Sequence, residues 1–505
     1  AISSELSANI IDLCPVGALT SKPYAFEARP WELTKTESVD VMDAVGSNIR
    51  VDSRGREVMR VLPMLNEDVN EEWISDKTRY ACDGLARQRL DKPYVKVDGK
   101  LKPASWHDAF DAIGGRVRGL DGARIAAIAG DMCDAEAMTA LKDLMAALGS
   151  PNIDCRQDGA KLDSGSRAGY TFNTTIAGIE DADACLIIGS NPRLEAPIIN
   201  ARLRKRALAG GFRVGLVGEA ADLTYRHEHL GAGPQTLKEI ADGTHPFCEV
   251  LKSAERPMLI VGQGALSRAD GAAVLATARS IADATGMVSG DWNGFNVLHT
   301  AAARVGGLDL GLVPGNGGRD VQGILDGAAS GDIEVVYLLA ADEIDTSKLG
   351  NAFVIYQGHH GDAGAHVADV ILPGAAYTEK EGTYVNTEGR VQRGRRATFP
   401  PGDAREDWSI IRALSEVLGK TLPYNNLGQV RTRMAEIAPV LDRIDVVDPA
   451  AWDGFGAAGP MDDDAFKAPI VNFYMTDPIS RASATMAACT ETFVNAGTEK
   501  TGTDG

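Results

Sequence analysis

Residues 358–397 read GHHGDAGAHVADVILPGAAYTEKEGTYVNTEGRVQRGRRA. The apolar run at 367–372 has the length of a short buried strand, and Pro373-Gly374 punctuates its end. Beyond it the chain is crowded with polar side chains: Glu379, Lys380, Glu381, Asn386, Glu388, Arg390 and Gln392. Ligands gather outside the carboxyl ends of strands in open α/β sheets, so the stretch is a pocket or an interface. No nucleophile, base or metal set stands out in it. Gly358-His359-His360-Gly361-Asp362, with His366 and Asp369 nearby, offers nitrogen and carboxylate donors of the kind zinc uses. Adjacent histidines on an extended segment point to opposite faces, which argues against both reaching one ion.

Upstream, from residue 103 onward, strand-like runs alternate with helical ones. Strands are expected at 124–129, 184–188, 213–217, 257–261, 335–339 and 353–356, several of them ending in glycine turns. Between them, residues 135–148 carry Met138, Leu141, Met145 and Leu148 on one helical stripe, with Asp134 as cap and Gly149 as stop. Residues 197–209 open on Pro197 and stop at Gly210-Gly211. Such a rhythm predicts parallel sheets with helices on both faces. None of the glycine turns completes a dinucleotide or P-loop motif. The best placed, Gly189-Ser190-Asn191-Pro192, is followed by Arg202, Arg204, Lys205 and Arg206, four bases that read as a solvated helix face.

The totals set limits. The chain has 505 residues, enough for two to four domains. Its net charge of −19, from 70 acids and 51 bases, argues against nucleic acid or an anionic membrane as a general partner. The longest apolar runs are far short of a bilayer span. Seven scattered cysteines do not make a disulfide framework and fit a reducing compartment. The first residues have neither the basic start nor the apolar centre of a signal peptide.

Near the amino end, residues 9–19 read NIIDLCPVGAL. Proline commonly follows the last cysteine of a ferredoxin-like cluster site. On the dipeptide alone a buried free cysteine competes with that reading. Cys14-Pro15-Val16-Gly17-Ala18-Leu19 as a whole resembles the end of the iron–sulfur domain in the large iron–sulfur subunits of NADH:quinone oxidoreductase, respiratory complex I. The resemblance implies that Cys14 is the fourth ligand of a 4Fe-4S cluster whose other three cysteines lie upstream. Further 2Fe-2S and 4Fe-4S clusters are implied in that upstream part.

Residues 44–79 resemble the small cluster-binding domain that opens molybdopterin oxidoreductases such as formate dehydrogenase. That family spaces its cysteines C-x2-C-x3-C-x27-C, which falls here on Asp40, Asp43, Ser47 and Ser75. No thiolate remains, and iron–sulfur clusters need soft ligands. The fold is expected to persist without a cluster, with Cys82 off-register as a core residue. The order Asn152-Ile153-Asp154, Gly189-Ser190-Asn191-Pro192, 368–373 and 386–392 resembles the same oxidoreductases. Their molybdenum ligand aligns near Ala160, so Cys155 is the one thiol that could substitute; Asn-x-Asp-Cys-Arg-Gln-Asp-Gly is itself typical of the complex I subunits, and no molybdopterin is expected.

Residues 439–464 have the proline, aspartate and glycine content of a linker. Residues 472–483 resemble the carboxyl-terminal signature of the complex I family and lead into a short docking helix ending near Cys489. Residues 495–505 are expected to be disordered.

The resemblance spans nearly the whole chain. It implies four parts: the end of a ferredoxin-like domain (1–29), a small β-rich domain resembling the 4Fe-4S Mo/W bis-MGD type without its cysteines (30–88), a molybdopterin-oxidoreductase-like α/β body (89–438), and a linker, docking helix and tail (439–505). The implied function is electron relay from NADH toward quinone, with the body as non-catalytic scaffold and this portion alone inactive. Implied partners are the peripheral-arm subunits, including the NADH/FMN-binding subunit and downstream iron–sulfur subunits. The implied location is the cytoplasmic face of a bacterial inner membrane or the matrix side of the mitochondrial one. Two alternatives remain open: a molybdopterin-dependent dehydrogenase of the formate type, and a purely structural partner-binding subunit.

Overall fold

A computed structural model describes residues 2–495, so most of the tail expected to be disordered, 496–505, lies outside the described residues. Two largely parallel sheets form the body. The larger has seven strands in the order Lys100–Pro103, Tyr94–Val97, Val370–Pro373, Phe353–Gly358, Val335–Leu339, Ile125–Ala129 and Asn152–Asp154. Its last five strands are parallel; the Tyr94–Val97 hairpin closes one edge in antiparallel register. The second sheet is all parallel, in the order Glu228–Gly231, Arg213–Val217, Ala184–Ile188, Pro257–Val261 and Phe295–Val297. The central strands of both sheets are buried throughout, as continuous apolar runs in a doubly covered parallel sheet should be.

The helices follow their sequence signals. Ala135–Leu148 is capped by Asp134, whose carboxylate accepts the Ala137 amide, and ends at Gly149 in the left-handed region (φ 75°). The turn after Ile125–Ala129 passes so close to its neighbour that a Cβ on Gly130 would run into the Ala340 carbonyl. Only glycine fits there.

Ahead of the body, Thr34–Val39, Asn48–Arg54 and Glu57–Pro63 form an antiparallel three-stranded sheet. A second hairpin, Gly382–Val385 with Val391–Gly394, lies within the opening stretch.

Three expectations need correction. The run at 367–372 is not one strand: Ala363–Val367 is a helical turn capped by Asp362, and the strand is Val370–Pro373. Residues 439–464 are no free linker, because Trp452 and Phe455 stack on Phe295, Leu441 is buried, and Asp462 pairs with Arg268. Aromatic anchors spaced along a polar strap hold it to the body. Arg202 is not on a solvated face: it is 4% exposed, pairs with Glu180 at 2.7 Å, and donates to the Glu67 and Val69 carbonyls. It thus ties the β-rich part to the second sheet.

Lys380 fixes the hairpin to the body. Its ammonium is buried, 2.8 Å from Asp134 and 2.6 Å from Asp407. Gln357 extends the network, donating to Asp407 and accepting from Tyr337. Removing one member of a buried charge group leaves the others unpaired, at a cost of about 3–5 kcal/mol. Lys380→Met should lower stability by that amount in urea unfolding, and adding Asp134→Asn and Asp407→Asn should restore part of it, since asparagine still caps a helix.

Candidate functional site

The segment around Cys14 is held firmly although it lies at the surface. Asn9 exchanges two hydrogen bonds with Ile74, donating to its carbonyl at 2.8 Å and accepting its amide at 3.2 Å. Asp76 accepts from the Ser7 hydroxyl and the Ala8 amide, and Arg79 pairs with Asp12 at 2.5 Å. The Asn9–Leu13 helix then stops, and Cys14 turns extended (φ −77°, ψ 107°). Gly17, at φ 66° and with open space around it, lets the chain curl back. The backbone of Leu19 and Val16, then of Ala18 and Gly17, holds the Cys14 pKa below the ordinary thiol value of 9.0. A lowered pKa favours the thiolate, the form that binds metal. As a donor Cys14 fits one corner of an iron–sulfur cluster. Among the described residues no group of three or more His, Cys, Asp and Glu is placed to hold a metal, so a cluster here draws its other ligands from elsewhere.

Asp40, Asp43, Ser47 and Ser75 do come together, each at most 2% exposed. The Ser75 hydroxyl caps the Asp76–Tyr80 helix and shares a 2.9 Å hydrogen bond with Thr78, which donates to Asp40. Asp43 accepts the Val45 amide. Burial pushes Asp40 up to about 8, with the neighbouring Asp43 adding to the shift and Thr78 and Lys77 opposing it. Asp43 is also raised by burial. These are hard, partly protonated oxygens tied into the backbone, and they do not fit a cluster. Cys82, half-buried and pushed up to about 12, donates instead to the Arg79 carbonyl.

The 379–392 side chains hold this chain together. Glu379 forms a forked pair with Arg89 at 2.6 and 2.5 Å. Glu388 accepts from Arg390 and from the Ile176 amide. Asn386 donates to the Val45 carbonyl and Gln392 to that of Gly46, while the Thr387 amide donates to Ala44. The loop between Asp43 and Ser47 is thereby clamped to the body by the opening stretch. His359 and His360 do not face apart, as expected of an extended segment. Their rings meet edge to face at 4.8 Å, with Nδ1 atoms 2.5 Å apart, because the strand ends at Gly358 and the chain bends. His360 Nε2–H donates to the Gly84 carbonyl at 2.9 Å, so its Nδ1 accepts from His359. Burial lowers both pKa values, that of His360 to about 4.

The position aligned with a molybdenum ligand is a buried methyl, Ala160. Cys155 is no substitute: burial pushes it to about 12, and a Cβ on Gly307 would press on its sulfur. Arg304, fully buried, fills the neighbourhood, 2.9 Å from Asp158 and donating to the Cys155 carbonyl. The Gly189-Ser190-Asn191-Pro192 turn is closed as well, since Glu195 accepts both the Ser190 hydroxyl and the Asn191 amide. Glu195, buried and with its pKa raised by that burial to about 7, closes the turn from within. Arg304 and Glu195 were not singled out from the sequence; the visible signal for Arg304 is a lone charge in the run of small apolar residues at 301–308.

Residues 89–417 match the family model described as molybdopterin oxidoreductase, residues 33–83 the NADH-ubiquinone oxidoreductase NDSU1/NuoG-like 4Fe-4S domain, and residues 447–489 the C-terminal part of the G-type subunit of NADH-ubiquinone oxidoreductase. The chain is 51% identical over 493 residues to the mitochondrial NADH dehydrogenase (ubiquinone) iron-sulfur protein 1 of Solanum tuberosum, over 97% of this chain and 65% of that protein. It is 47% identical to the NADH-ubiquinone oxidoreductase 75 kDa subunit of Reclinomonas americana, over 97% of this chain and 73% of that protein. The chain belongs to the family of large iron–sulfur subunits of NADH:quinone oxidoreductase. The G-type subunit of the NADH-quinone oxidoreductase of Rickettsia bellii, 46% identical, again matches 97% of this chain and 70% of that one. The chain spans about two thirds of the length of these relatives. Its fold is also that of acetylene hydratase from Pelobacter acetylenicus, with a TM-score of 0.57, 12% identity, and coverage of 81% of this chain and 72% of that one. The 33–83 stretch, although it matches a four-iron domain of this family, contains one cysteine, Cys82.

With Asp40 held protonated, the folded chain binds more protons than the unfolded one between the ordinary carboxyl pKa and about 8. Stability therefore falls as pH rises through that window. Asp40→Asn should be progressively more stable than the native chain from pH 5 to pH 8, by at most about 1.4 kcal/mol per pH unit. Urea midpoints at the two values check it.

Proposed function

We propose that this chain relays electrons within an NADH:quinone oxidoreductase through a four-iron cluster of which Cys14 is one ligand, and that its α/β body is a scaffold without catalysis. The observation that carries the reading is the placement of Cys14: a surface thiol whose backbone surroundings lower its pKa, on a segment pinned to the β-rich part, in a chain of this family. The cluster supplies one-electron transfer. This chain's residues bind iron through the Cys14 sulfur, and the backbone of residues 16–19 stabilises negative charge on it, which favours the reduced state. The three further cysteines, and additional 2Fe-2S and 4Fe-4S clusters, belong to polypeptide outside these residues. Asp40, Asp43, Ser47 and Ser75 carry no cluster.

A molybdopterin-dependent dehydrogenase is disfavoured by the chemistry of the donors: a methyl at Ala160, a protonated Cys155, and a turn occupied by Glu195. The proposed partners are the other peripheral-arm subunits, the NADH/FMN-binding one among them, on the cytoplasmic or matrix side of the membrane. No helix among the described residues is long and apolar enough to cross a membrane, so attachment through partners suits the chain. The four-part division, at 1–29, 30–88, 89–438 and 439–505, goes with this assignment of roles.

Electron paramagnetic resonance of the reduced assembled complex tests the reading. Cys14→Ala should remove one four-iron signal, whereas Ser75→Ala should leave every iron–sulfur signal in place. An unchanged spectrum in Cys14→Ala would overturn it.

A further inference from the structure

The helix Asp76–Tyr80 stands between two sites and serves both. Ser75 caps it, and Thr78 donates to Asp40 at 3.0 Å, so one side of it belongs to the degenerate cluster positions. Asp76 and Arg79, three residues apart and so on one face, reach the other way. The Asp76 amide donates to the Glu5 carbonyl, and the Asp76 carboxylate accepts the Ser7 hydroxyl at 2.5 Å and the Ala8 amide at 2.9 Å. Each of these contacts falls on the segment that leads to Cys14.

Arg79 ends the row. It is 4% exposed, and its Nη2 donates both to Asn9 Oδ1 at 3.1 Å and to Asp12 Oδ2 at 2.5 Å. Asn9 and Asp12 lie three residues apart on the Asn9–Leu13 helix, so one buried cation grips one face of it. Asp12 is also the charged residue nearest Cys14 in the chain; from Leu13 to Ser21 there is no other. Its side chain is 34% exposed, and Arg79 is its ion-pair partner.

A cluster takes up one electron at a time, so a fixed charge beside it favours one state over the other. A carboxylate opposes reduction and a guanidinium promotes it. As a close pair, Asp12 and Arg79 largely cancel. We propose that Arg79 is a positioning residue for the Cys14 cluster, seating the ligand-bearing helix through Asn9 and Asp12 and offsetting the Asp12 carboxylate, so that the reduction potential is set in part from the β-rich part of the chain. The proposal rests on the reading of Cys14 as a cluster ligand. It gives the β-rich part, which carries no cluster thiolates of its own at Asp40, Asp43, Ser47 and Ser75, a role in electron transfer.

Redox titration of the four-iron signal in the assembled complex, followed by electron paramagnetic resonance, tests it. Arg79→Met leaves Asp12 unopposed and should lower the midpoint, changing the oxidised-to-reduced ratio at a fixed potential about tenfold, which is ~59 mV for a one-electron couple. Asp12→Asn leaves Arg79 unopposed and should raise the midpoint by a comparable amount. The double variant Arg79→Met/Asp12→Asn should return to within about threefold of the native ratio. Arg79→Lys keeps the charge and should stay closer to native than Arg79→Met. The opposite signs of the two single variants distinguish a charge effect from a loosened fold, which would shift both the same way. Where Arg79→Met fails to assemble, the rise in Asp12→Asn, a change at a partly exposed side chain, still decides. Unmoved midpoints, or shifts of one sign in both single variants, would overturn the proposal. If Cys14→Ala removes the signal while these midpoints stay put, the cluster reading holds and this inference alone fails; an unchanged spectrum in Cys14→Ala overturns both.

Discussion

One buried ammonium ties together three parts of this molecule. Lys380 reaches Asp134 at the start of the Ala135–Leu148 helix and Asp407 at the start of the Asp407–Val417 helix, from the turn that precedes the hairpin. Two carboxylates and one ammonium taken out of water are tolerable only with close geometry and further hydrogen bonds, which Gln357 and Tyr337 help to provide. With the turn fixed in this way, Asn386, Thr387 and Gln392 can hold the loop at 44–46, and Glu379 can grip Arg89. The polar crowd at the carboxyl ends of the strands is thus the joint between the sheet body and the β-rich part.

The same chemistry explains how a fold shared with molybdopterin oxidoreductases serves as a frame. Where the family's small domain has cluster thiolates, this chain has two buried carboxyl groups and two buried hydroxyls, with Ser75 linked through Thr78 to Asp40 and Asp43 accepting the Val45 amide. Around the aligned ligand position it has a methyl, a core thiol and the Arg304–Asp158 pair. The glycine turn at 189–192 is closed by Glu195. Each change replaces an open donor set with side chains bonded within the chain. The Cys14 loop does the opposite, because its backbone favours the thiolate and no metal-holding group of side chains is assembled around it among the described residues.

Much of the architecture was legible in the sequence. The six strands expected between 124 and 356 are present, some with ends shifted by a residue or two, because a buried parallel strand writes itself as a continuous apolar segment. Some strands that escaped are short: Asn152–Asp154, Glu228–Gly231 and Phe295–Val297 have three or four residues, too few to show a period, while the six-residue Thr34–Val39 is largely polar. The strap at 439–464 misled because composition reports backbone freedom and not the anchoring of Trp452 and Phe455. The histidine pair misled because alternation holds only inside a strand, and the strand stops at Gly358. Of the candidate site, the family spacing falls on Asp40, Asp43, Ser47 and Ser75, which are buried close together, whereas the role of Cys14 rests on resemblance and is a proposal. The backbone surroundings of Cys14, and the tie between Arg202 and the β-rich part, depend on chain curvature and long-range packing that local sequence does not encode.

The central claim is that redox chemistry is confined to the Cys14 end while the body holds no catalytic metal. Its most direct test is the metal and pterin content of the purified assembled complex, by mass spectrometry and by fluorescence of the oxidised pterin. The account predicts iron in whole clusters with molybdenum and tungsten below a tenth of an atom per chain, and no pterin. Stoichiometric molybdenum or tungsten together with pterin, traced to this chain, would contradict it.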